Sequence, residues 1–109
     1  MNEDALTPDP AMVRCCVDLA AQWAPTLRAL ANPERLLIAL WLAETSATVR
    51  ELEKVTGLSQ PLVSYHLRAL REAGLVVATA VGRANVYRLA SPDLDKLAAL
   101  LGTLEGPSS

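Results

Sequence analysis

The chain contains no phenylalanine, and aromatic residues make up only 4% of its 109 residues. Leucine, alanine and valine must therefore fill the core, which favours helices. No apolar stretch approaches the roughly 18 uncharged residues that a membrane span needs. The longest, Leu36 to Ala43, has eight residues and suits a buried helix, so no membrane partner is expected. Met1, Asn2, Glu3 and Asp4 lack the basic stretch that opens a secretory signal, and a cytoplasmic protein is expected. The two cysteines, Cys15 and Cys16, are adjacent and cannot make a disulfide framework. One histidine, with no nucleophile–base pair and no phosphate-binding loop, leaves little chemistry for an enzyme. Internal repeats and low-complexity stretches are also missing.

What is present is a globular composition. Hydrophobic residues reach 51% and charged residues 20%, enough for one packed domain. The formal net charge of −2 weighs against a nucleic-acid partner, but its distribution weighs the other way. Ser59 to Ala90 holds four arginines (Arg68, Arg71, Arg83, Arg88), the single histidine and one glutamate, Glu72. The remaining residues carry 11 acids and six bases. A basic segment on an acidic body is the feature to explain.

Residues 1–10 are expected to form a flexible acidic tail, 11–104 a single domain, and 105–109 a second flexible tail. From Ala11 to Ala24 apolar residues recur at helical spacing through Met12, Leu19 and Trp23. Pro25 is expected to interrupt this helix and open a short second one, ending near Ala31. Asn32-Pro33 reads as a cap and first turn. The helix from there to about Glu44 is apolar over most of its surface, which predicts a central core helix. Thr48 with Glu51 forms a capping-box pattern for a helix expected to bury Val49, Leu52 and Val55. Gly57 stops that helix, Leu58 is a buried link, and Ser59 caps a helix burying Val63, Leu67 and Leu70. Two short helices about a glycine turn make a helix-turn-helix. Leu75–Thr79 and Val86–Leu89 read as strands of a hairpin, with Val81–Asn85 as the turn. Ser91-Pro92-Asp93 caps a last helix carrying Leu94, Leu97, Leu100, Leu101 and Leu104. The predicted fold class is mainly α with a small β-hairpin: a winged helix-turn-helix. It is expected to be dimeric, because the leucines of the last helix are too many for one monomeric face.

Three stretches resemble the ArsR/SmtB family of small winged helix-turn-helix repressors. Leu27-Arg28-Ala29-Leu30-Ala31-Asn32-Pro33-Glu34-Arg35 is similar to a family signature, and Gly57 through Val76 to its recognition helix. Gly82-Arg83 followed by Val86-Tyr87-Arg88-Leu89 is similar to its wing. The resemblance spans roughly residues 25 to 104. It implies a homodimeric regulator, expected to be a repressor, that reads an inverted repeat in double-stranded DNA.

The residues define the same surface independently. With about 100° per residue and Val63 at the centre of the buried face, Leu67 and Leu70 fall beside it. Pro61, Ser64, Tyr65 and Arg68 fall opposite, and Gln60 lies on the flank at the end that enters the major groove. Gln pairs with adenine, Arg with guanine, and Ser or Tyr with base or phosphate. Arg83 at the wing tip suits the minor groove or a phosphate. The backbone N–H groups around Ser59 and Gln60 suit a phosphate. The candidate DNA-binding residues are thus Ser59, Gln60, Pro61, Ser64, Tyr65, Arg68 and Arg83. His66 should be partly covered, as a structural residue or phosphate contact.

Members of this family sense metals through thiolates or through His and carboxylate ligands. The positions matching the arsenic-type site are Thr48, Arg50 and Glu53. Those matching the zinc-type site are Ser91, Asp93 and Leu104, of which only Asp93 can ligate. Cys15 and Cys16 remain, and two readings stand side by side. One is a metal- or redox-sensing pair, the metal being a soft ion, or nickel or zinc with oxygen ligands from Glu3, Asp4, Asp9 or Asp18. The other is packing of at least one thiol as a small hydrophobe in the dimer interface. The alternative function is a winged-helix regulator without a direct metal effector, acting as an activator or through a separate effector-sensing protein.

Overall fold

The computed structural model describes residues 8–103. The tail reading for residues 1–7 and 105–109, and the domain limit at Leu104, lie outside the described residues. Seven elements follow in order: α1 (Pro10–Leu30), α2 (Pro33–Glu44), α3 (Val49–Thr56), α4 (Gln60–Glu72), β1 (Val76–Val81), β2 (Ala84–Leu89) and α5 (Pro92–Thr103). The architecture is mainly α with one two-stranded antiparallel hairpin, as the sequence predicts. No described helix is long and apolar enough to cross a membrane.

Helix α1 departs from expectation at both ends. It starts at Pro10, where Asp9 accepts a bond from Ala11 N at 2.9 Å, so residues 9 and 10 belong to the domain and not to a tail. It then runs unbroken through Pro25. An interior proline costs a helix about 3 kcal/mol in isolation. Here Trp23 and Thr26, on either side of it, are both buried, and that packing carries the helix across.

Asn32 caps α2 by accepting from Arg35 N at 3.0 Å. The helix is central, but on one side only. Ile38, Ala39 and Leu42 are buried against α3, α4 and β2, whereas Leu36, Leu37, Leu40 and Trp41 remain exposed, Leu40 to 60%. A second correction concerns α3. Leu52 is buried, Val49 is half-buried, and Val55 is 46% exposed, because two turns of helix present only one narrow line to the core. The core is Ile38, Ala39, Leu42, Ala47, Leu52, Val63, Leu67, Leu70, Leu75, Val76 and Tyr87. Each fully buried leucine contributes about 1.5–3 kcal/mol by leaving water.

The turn between α3 and α4 is built locally. The capping box is complete: Glu51 N donates to Thr48 Oγ1 (3.1 Å) and Thr48 N to Glu51 Oε1 (2.9 Å). At the far end Gly57 adopts φ +76°, which only glycine takes without strain. Thr56 Oγ1 donates to Leu52 O and accepts from Leu58 N, tying the linker to the helix it leaves.

The hairpin is longer and tighter than predicted. Pairing runs from Val76↔Leu89 to Val81↔Ala84, leaving Gly82-Arg83 as a two-residue loop. Gly82 has φ +62° and Arg83 does not have a positive φ, the pattern of a type II′ turn. Backbone bonds between Ala47 and Tyr87 in both directions (2.9 and 2.8 Å) pin β2 to the segment before α3.

Candidate nucleic-acid interface

Helix α4 divides sharply. Val63, His66, Leu67 and Leu70 are buried, while Gln60, Pro61, Tyr65, Arg68 and Arg71 are exposed and Ser64 is half-buried. The helix begins with Ser59, whose Oγ accepts from Leu62 N at 3.4 Å. Pro61 has no N–H to satisfy, so the first turn leaves few donors to pair. Gln60 Nε2 donates to Ser64 Oγ at 3.3 Å, which orients two polar groups on the outer face before any ligand arrives. Every candidate DNA-binding residue on α4 therefore lies on its outward side or flank.

The hairpin stands beside this helix. A cleft of about 450 Å³ runs between them, lined by Ser64, Leu67, Arg68, Arg71, Glu72 and Tyr87. A second, of about 280 Å³, lies between the start of α3 and the hairpin, with Arg50 and Asn85 on its walls. Tyr87 borders both, so the ring that anchors the hairpin also shapes the floor on either side. Arg83 is exposed at the hairpin tip. Among the described residues no carboxylate lies within ion-pair distance of Arg68, Arg71, Arg83 or Arg88. Guanidinium groups stay charged at any physiological pH. Their side chains are thus not tied up in ion pairs, and Glu72 is the one carboxylate among the residues lining the cleft. The sequence reading did not assign Arg71, although its place three residues after Arg68 puts it on the same helix face.

His66 differs from expectation: it is 2% exposed and not partly covered. Arg35 Nε donates to its Nδ1 at 3.3 Å. Arginine is only a donor, so Nδ1 must carry the lone pair. The ring proton then sits on Nε2, which lies 3.3 Å from Glu34 Oε1 and donates to it. With both nitrogens engaged, the ring has neither a free donor for a phosphate nor a free acceptor for a metal. Arg35 and Glu34 were visible only as part of a signature; no local pattern reveals a partner 31 residues away.

Cys15 and Cys16 are exposed free thiols on the first half of α1. Successive helical positions diverge by about 100°. Asp9 already uses its carboxylate as the α1 cap. No group of three or more His, Cys, Asp or Glu residues capable of holding a metal occurs among the described residues. Among the described residues the ligands at hand therefore do not close a soft-metal site.

The model of bacterial regulatory proteins of the arsR family matches residues 32–77, from the cap of α2 to the second residue of β1. The chain is similar to the HTH-type transcriptional regulator NmtR of Mycobacterium tuberculosis, with 47% identity over 70 residues. That match covers 64% of this chain and 58% of the relative, so the chain spans little more than half of that protein's length. It is also similar to the biofilm growth-associated repressor of Agrobacterium fabrum, 38% identical over 97 residues, covering 89% of this chain and 77% of the relative. Among solved structures, a homodimeric winged helix-turn-helix DNA-binding domain from Mycobacterium bovis superimposes with a TM-score of 0.66 and 35% identity, covering 82% of each chain.

Proposed function

The chain belongs to the arsR family of bacterial regulatory proteins, and from that premise we propose that it is a homodimeric, sequence-specific DNA-binding repressor acting in the cytoplasm. The observation that carries the reading is the outward face of α4. Gln60, Ser64, Tyr65 and Arg68 converge there, opposite the buried Val63, His66, Leu67 and Leu70 and beside a hairpin whose arginines have no ion-pair partner among the described residues. In this reading α4 enters the major groove. Arg68 reads a guanine and Gln60 an adenine, with Ser64 and Tyr65 on neighbouring bases or phosphates. Pro61 stiffens the entering turn. Arg83 follows the minor groove or its phosphates, and the free N–H at the start of α4, next to Ser59, faces a phosphate. Two copies place two such helices about one helical turn apart, so the operator is an inverted repeat. No step of this function requires catalysis.

A metal response through Cys15 and Cys16 would require ligands beyond the described residues, which do not complete the set. The test of the main reading is selection of duplexes from a random-sequence pool. The expected result is an enriched inverted repeat whose affinity falls steeply with salt, by several units of log K per unit of log salt. A pool that stays random after repeated rounds would overturn it.

A further inference from the structure

One side chain links three helices on the reading half of the molecule. Arg35 sits in the first turn of α2, half-buried. Its Nη1 donates to Ala29 O at 3.1 Å, one of the last carbonyls of α1, which has no partner within its own helix. Its Nε donates to His66 Nδ1 in the middle of α4. Its guanidinium carbon lies 5.8 Å from the centre of the Tyr65 ring, within reach of a cation–π contact. Tyr65 also meets the neighbouring His66 ring edge-on, with centroids 5.4 Å apart. Tyr65 is 60% exposed and belongs to the outward face of α4.

We propose that Arg35 is a positioning residue for DNA reading: it fixes the Tyr65 ring on the recognition face, and holds His66 as the Nε2-protonated tautomer that seats α4. The inference rests on the DNA-binding reading above. An exposed tyrosine on a helix samples several rotamers, and binding DNA selects one of them. A guanidinium against one side of the ring and a buried imidazole beside it make that selection in advance, which lowers the ordering cost of the complex. The guanidinium itself is committed to Ala29 and His66, so the seating of α4 affects all duplexes alike, and the preference between duplexes passes through Tyr65. Lysine has the charge but not the planar fork that reaches a carbonyl, a ring nitrogen and a ring face together.

The test uses the duplex selected by the unaltered chain, against a random-sequence duplex of equal length. Arg35→Ala and Arg35→Lys should each reduce the ratio of the two affinities about fivefold or more, the scale of one lost base contact. In a Tyr65→Ala background, Arg35→Ala should change that ratio less than about twofold, because the partner through which it acts is gone. Additive losses would overturn the proposal, as would an unchanged ratio in the Arg35→Lys variant. The chain has a single histidine, so nitrogen NMR of the unaltered protein reads its tautomer without any variant. A folded state at neutral pH with the proton on Nε2 supports the arrangement, and one with the proton on Nδ1 refutes it even if the Arg35 variants fail to fold. Failure to select any duplex overturns the DNA-binding reading and this inference together, whereas a selected duplex with additive losses overturns this inference alone.

Discussion

Helices α1 and α4 are the two longest among the described residues, and they are satisfied to different degrees. Helix α4 spans 13 residues and has a continuous buried line through Val63, His66, Leu67 and Leu70. Helix α1 spans 21 residues but buries only Trp23 and Thr26, both in its second half. Every residue from Pro10 to Asp18 is exposed, Met12, Val13 and Val17 included. The indole N–H of Trp23 is buried without an acceptor among the described residues. One chain therefore suffices to shape the proposed reading surface. The described residues do not cover the apolar side of α1 or the outward stripe of α2. A solvent-exposed apolar helix face of this length marks a place where another surface belongs, and a second copy fits the homodimeric relative.

The largest expected effect tests the complete half. Leu67→Ala removes a fully buried side chain from α4 and should cost about 2–5 kcal/mol, read from denaturant unfolding. Val17→Ala, on the uncovered half, should cost less than about 0.5 kcal/mol when measured below the concentration at which copies associate. Equal losses at the two sites would erase the contrast.

Next in size are the variants on the proposed reading face. Arg68→Ala should weaken binding to the selected duplex by about 1–3 kcal/mol and relax preference at one base. Arg83→Ala should weaken binding to all duplexes alike and lower the salt slope by about one unit. Titrations of each variant at several salt concentrations check both. Parent-like binding by both would remove the reading role from this face.

A smaller effect concerns the helix that supports α4. Thr48→Ala removes one half of the capping box and should cost about 1 kcal/mol. The Thr48 backbone N–H, with the Thr48 hydroxyl and Lys54 adding to it, holds the Glu51 carboxyl below its ordinary value. A depressed folded-state value means that the carboxylate stabilises the fold at neutral pH. That contribution fades as pH falls from the ordinary carboxylate range through the lowered value. Glu51→Gln should accordingly flatten the dependence of unfolding on pH in the acid range; an unchanged dependence would contradict the box as its source. Smallest of all is the change expected from Cys15→Ser with Cys16→Ser. Both thiols lie on the uncovered half, away from α4 and the hairpin, so affinity for the selected duplex should stay within about threefold.

The same contrast explains which features were legible beforehand. The Thr48–Glu51 box, the Gly57 stop and the Ser59 cap were readable because each is decided by residues within three or four positions. The inward side of α4 was readable because its apolar period is unbroken. Pro25 misled because a local rule was overruled by burial of Trp23 and Thr26. The apolar surface of α2 misled because a hydrophobic helix gives no sign of which side its own chain covers. The buried state of His66 was hidden because its partners arrive from α2, through contacts that no periodicity encodes.

The most direct test of the account is the stoichiometry of the complex with the selected duplex, measured by sedimentation. Two chains on one inverted repeat, with half-sites about one helical turn apart, is the predicted result. A single chain bound with full affinity to one unrepeated site would contradict it, because the exposed halves of α1 and α2 would then have no part in reading DNA.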